Sequence, residues 1–141
     1  MSGFQDQLNL IIDVHNRIRI ELYPQPSPEA HLVNENTILR LQALLEAYDC
    51  EAPTGPMSPS ATDAEVAVRT LKYLRNLIPH KDHGLFRVRK ESPQWSAVER
   101  FALDHPAIVV PDGHPICLDG TLVLQPLVDG LVEWAKERGK L

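Results

Sequence analysis

No run of residues in this chain approaches the roughly 20 apolar positions that a bilayer-spanning helix needs. The opening MSGFQDQLNL lacks the basic-then-apolar layout of a secretory signal. Both absences lead to the expectation of a cytoplasmic protein with no membrane partner. Cysteine is reduced to Cys50 and Cys117, with no CxxC pair and no Cys/His ligand spacing, so nothing points to a zinc site. The two read as buried thiols rather than a disulfide. A glycine-rich phosphate loop, a nucleophile elbow and a Rossmann fingerprint are all missing, and no cofactor is expected. Internal repeats and low-complexity tracts are missing too. Positive charge is in deficit: 14 Lys and Arg against 19 Asp and Glu leave a net charge of −5. That balance argues against broad coating of nucleic acid, which depends on neutralising many phosphates.

What is present is helical periodicity. The 141 residues, 43% of them hydrophobic, suit a single domain spanning 1–141. Phe4, Leu8, Ile11, His15, Ile18 and Leu22 recur in alternating steps of four and three, one face of an amphipathic helix. Pro24, Pro26 and Pro28 end it, and Ser27-Pro28 restarts the chain as an N-cap with proline at the first helical position. The stripe Ile38, Leu41, Leu44, Leu45 and Tyr48 predicts a second long helix reaching about Asp49, with Asn34 and Asn36 as interruptions near its start. Residues 51–61, with three prolines and a glycine, predict a loop. Thr62 and Glu65 form a capping box for a third helix, which buries Val66, Leu71 and Leu74 and ends near Leu77 because Pro79 biases Ile78 away from helical geometry.

Beyond it, Leu85–Lys90 alternates apolar and basic residues as an extended stretch would. Ser92-Pro93 opens a fourth helix that stops before Pro106. Between residues 107 and 124, Asp-Gly steps separate short apolar runs and predict a β-hairpin. A final helix from about Gln125 buries Leu127, Val128, Leu131, Trp134 and Ala135. The expected fold is mainly α, a compact four- to five-helix bundle with one short hairpin.

Charge is the other pattern. Seven of the chain's cations fall between Arg69 and Lys90 against the single acid Asp82, giving that window about +6 inside an acidic protein. At its centre lies Arg75-Asn76-Leu77-Ile78-Pro79-His80. Arg offers a planar fork of donors to phosphate, and His moves protons near neutral pH. Cleaving RNA without a metal takes that pair of properties: an acid/base for the 2′-hydroxyl and the leaving oxygen, and a cation for the charged phosphorane. Arg100 and His105 repeat the same spacing outside the basic window, so spacing alone carries little and the weight falls on Asn76, the helix exit and the charge context. His80, Asp82 and His83 also offer three ligands on one loop, a weaker alternative lacking a fourth ligand at diagnostic spacing. His15 interrupts an otherwise apolar helix face and reads as a hydrogen-bonded core histidine.

Leu74-Arg75-Asn76-Leu77-Ile78-Pro79-His80 resembles the signature of the HEPN superfamily (higher eukaryotes and prokaryotes nucleotide-binding): Arg, a polar residue often Asn, then His four to six positions on. The order of elements is similar as well, with two long helices before the motif and an amphipathic helix near the C-terminus. The resemblance implies a metal-independent endoribonuclease working as a homodimer whose two motifs meet at the interface. Arg75 would stabilise phosphate, His80 would act as acid and base, and Asn76 would orient one of them. Lys72, Lys81, His83, Arg87 and Arg89 would line the path of the RNA. Such proteins serve as toxins with a cognate antitoxin protein, or in antiviral defence. Other members are non-catalytic bundles that bind a protein or a nucleotide, which stays open as the alternative.

Overall fold

The computed structural model describes residues 3–78, 92–105 and 124–141. Five α-helices pack together, with no strand among the described residues: α1 (Gly3–His15), α2 (Pro28–Ala47), α3 (Asp63–Leu77), α4 (Trp95–Asp104) and α5 (Leu124–Glu137). The hairpin expected between 107 and 124 and the extended stretch 85–90 lie outside those residues. No described helix is long and apolar enough to cross a membrane.

Local rules explain most boundaries. Ser27 Oγ accepts the Ala30 N–H at 3.0 Å ahead of Pro28, and Thr62 Oγ1 accepts that of Glu65 at 3.2 Å. Each cap satisfies one of the donors that a helix start leaves free. The second half of the expected capping box is not made. Glu65 turns instead to Arg69, whose Nε lies 2.9 Å away, because a bond charged on both sides outweighs one to the uncharged Thr62 N–H. The fourth helix starts later than Ser92-Pro93 suggests: Ser92 Oγ and its carbonyl hold a turn by accepting the N–H groups of Gln94 and Trp95, and helix begins at Trp95. Asn34 and Asn36 do not interrupt α2, which runs unbroken from Pro28 to Ala47. The third helix does end at Leu77, yet Ile78 keeps helical backbone angles, its N–H bonded to the Leu74 carbonyl.

The first helix departs from a uniform period. After His15 the chain widens into a seven-residue π-helical segment, Asn16–Leu22, closed by a Tyr23 N–H bond to the Ile18 carbonyl five residues back. A wider turn rotates the inward face. Arg19 becomes buried while Leu22, an expected face residue, is 69% exposed.

α3 lies at the centre, flanked by α5, α4 and α2, and α1 packs chiefly on α2. Phe4, Leu41, Val68, Leu71, Leu131 and Trp134 belong to one continuous core. α5 buries every position its stripe predicts. Gly130 lets α5 approach α3 closely, since a Cβ there would overlap the Ala67 methyl. A smaller cluster of Tyr73, Leu77 and Val98, with Trp95 against it, fixes the C-terminal end of α3 on α4. Cys50 is a free, buried thiol bonded to the Leu45 carbonyl, and burial pushes its pKa up, which keeps it protonated and unreactive. Cys117 lies outside the described residues.

The candidate site at the exit of the third helix

The last two turns of α3 face two ways. Tyr73 and Leu77, four apart, are buried against α4, which leaves Lys72, Arg75 and Asn76 on another face by the same helical spacing. Arg75 and Asn76 are exposed and Lys72 half-buried. Arg75 Nη1 donates to Asn76 Oδ1 at 3.1 Å, so the amide steers the guanidinium. Neither Lys72 nor Arg75 is paired with a carboxylate among the described residues. Arg75 sits at the negative end of the helix dipole, which favours its charge there by about 0.3–1 kcal/mol. Two cations held near an exposed helix end, one with its fork oriented, can take a phosphate.

The rest of the expected site follows α3. His80, Lys81, His83, Arg87 and Arg89 lie outside the described residues, as do the alternative ligands His80, Asp82 and His83. Among the described residues, no three of His, Cys, Asp and Glu gather as a metal ion would require.

Two features of the charge pattern resolve differently from their composition. Arg69, the first cation of the basic window, is 3% exposed and faces inward. Its guanidinium reaches Glu65, the Gly55 carbonyl at 2.6 Å and Gln94 Oε1 at 3.0 Å, while Gln94 Nε2 donates to the Pro53 carbonyl at 2.9 Å. It pins the proline-rich loop and the start of α4 to α3 and is not available to a ligand. The second Arg–His pair, Arg100 and His105, lines a groove with four carboxylates, Asp63, Asp104, Asp129 and Glu133. Arg100 is held by the Ala61 carbonyl at 2.7 Å and by Asp63, and His105 packs against Phe101 with ring centroids 4.5 Å apart and planes tilted by 49°. An acidic groove repels a polyanion, which separates this pair from Arg75.

His15 is a buried, hydrogen-bonded histidine, 6% exposed, with Nδ1 2.7 Å from Thr37 Oγ1. Thr37 donates its own proton to the Val33 carbonyl at 3.0 Å, so it accepts from His15 Nδ1–H and leaves the lone pair on Nε2. Burial first, and the Arg19 charge second, hold the imidazole pKa below its ordinary value of 6.5. The sign follows: below pH 6.5 the unfolded chain takes up a proton at this position that the folded one resists. His15 therefore stabilises the fold fully above pH 6.5 and loses that contribution as pH falls towards its lowered folded pKa. Urea midpoints measured from pH 7.5 to pH 5 should fall more steeply for the parent than for His15→Asn. Parallel curves would refute this. His15 lines a cleft between α1 and α2 that does not include Arg75.

No family model, no curated protein and no solved structure matches the chain.

Proposed function

We propose that the chain is a cytoplasmic, metal-independent endoribonuclease of HEPN type, with its site where α3 ends. The observation that supports this best is the Arg75–Asn76 pair: exposed, bonded side chain to side chain at 3.1 Å and free of any described carboxylate, at the head of the Arg-Asn-x-x-x-His sequence. Lys72 on the same face adds a second cation, and Lys81, His83, Arg87 and Arg89 continue the basic run along the chain.

The chemistry divides among these groups. His80 removes the 2′-hydroxyl proton or protonates the departing 5′-oxygen, one role in each copy of a homodimer whose sites adjoin. Arg75 stabilises the dianionic phosphorane as charge builds on its equatorial oxygens. Asn76 holds the guanidinium fork in place, and the lysines and arginines bind neighbouring phosphates. Regulation by an antitoxin protein fits such an activity, since an unchecked ribonuclease slows its host.

Incubation with single-stranded RNA in EDTA tests the proposal. The expected products carry 2′,3′-cyclic phosphate ends. Intact RNA, or products with 3′-hydroxyl ends, would overturn it.

A further inference from the structure

The cleft containing His15 is built differently from the basic end of α3. It encloses about 400 Å³ between α1, the π-helical segment and α2, at the small end of the roughly 300–1,000 Å³ typical of ligand pockets. Its walls are mainly aliphatic, including Ile11, Ile18 and Val33, with few polar groups. Apolar surface continues to the rim, where Leu10 and Leu32 are 64% and 62% exposed.

Two polar groups in this cleft have bonding capacity that no described residue takes up. His15 is buried, and its Nε2, the lone-pair nitrogen, is bonded to no described residue. That nitrogen keeps contact with solvent in the cleft, so water or a ligand there can donate to it. Arg40 lies one turn beyond Thr37 on the same face of α2, exposed and without an ion pair or hydrogen bond among the described residues. The π-helical widening begins directly after His15 and carries Ile18 into the wall. Such segments are uncommon and concentrate at functional sites.

We propose that this cleft binds a small amphipathic monocarboxylate that also carries one hydrogen-bond donor. The apolar body fills the aliphatic walls, the donor meets His15 Nε2, and the carboxylate meets Arg40 at the mouth. The proposal is independent of the ribonuclease reading, because the cleft contains none of Lys72, Arg75 or Asn76.

Indole-3-acetate is a suitable probe, with indole as the analogue lacking the carboxylate and 1-naphthaleneacetate as the analogue lacking the N–H. Titration calorimetry on the full chain should show saturable binding of indole-3-acetate, weakened at least about tenfold by removal of either group from the ligand. Arg40→Gln should weaken indole-3-acetate by a similar factor and leave indole unchanged. Val14→Trp, at an exposed edge of the cleft, should block all three while the thermal midpoint stays within a few degrees of the parent. The proposal fails if indole-3-acetate does not bind at millimolar concentration, if either variant binds it as tightly as the parent, or if indole binds equally well. It also fails if sedimentation shows that Val14→Trp dissociates a dimer of the parent, which would place a second copy of the chain on this face.

Discussion

Replacing Arg75 by Ala should lower the rate of RNA cleavage by about 10²–10³-fold, the loss typical when one donor to a developing charge is removed. Folding stability should change little. Arg75 is exposed, its described partner is the neighbouring Asn76, and its interaction with the helix dipole amounts to about 0.3–1 kcal/mol. The combination separates catalysis from structure: a large kinetic effect with a nearly unchanged urea midpoint. Arg75→Lys should recover only part of the rate, because a lysine keeps the charge and loses the fork that Asn76 orients. If Arg75→Ala cleaves as fast as the parent, the guanidinium has no role in the reaction.

The second large effect is on stability. Trp134→Ala should destabilise the fold by about 3–5 kcal/mol, a substantial part of the roughly 5–15 kcal/mol a domain has in total. Trp134 is 3% exposed in the main core, its Nε1 donates to the Cys50 carbonyl at 2.8 Å, and the Arg138 guanidinium covers its ring. Removing the indole opens a cavity between α5 and the rest of the core and orphans a buried carbonyl at the start of the proline-rich loop. Trp134→Phe divides the two contributions in part, since it keeps a six-membered ring in the core and loses the donor together with the rest of the indole. Its expected cost is about 1–3 kcal/mol. Urea midpoints of the two variants check the division, and equal losses would show that the ring volume is irrelevant.

Legibility in the sequence followed the range of the interactions involved. Ser27 and Thr62 cap their helices as read because a cap needs only three or four consecutive residues. The α5 stripe held at every position because a regular helix against one core has one period. The π-helical segment was not legible: a template with a fixed helical period carries Leu22 inward, whereas the widened turn brings in Arg19. Arg69 was misleading for a related reason. Its partners at Gly55 and Gln94 are distant in sequence, so nothing local marks it as an internal strut rather than part of a basic surface.

At the site itself, the sequence placed Arg75 in the last turn of α3, and its exposure with Asn76 follows from Tyr73 and Leu77 committing another face to α4. The acidic surroundings of Arg100 and His105 supply a physical reason for the context argument that separated the two Arg–His pairs. The ligand-sized cleft was half legible. His15 interrupts the apolar stripe visibly, but Thr37 and Arg40 join it only through the packing of α1 on α2.

As proposed, Arg75 and His80 work as one ribonucleolytic unit. Single-turnover cleavage of a single-stranded RNA in EDTA, comparing the parent with His80→Ala, tests it most directly. The expected result is a loss of about 10²–10⁴-fold, the usual contribution of a positioned acid/base. Equal rates for the two proteins would contradict it.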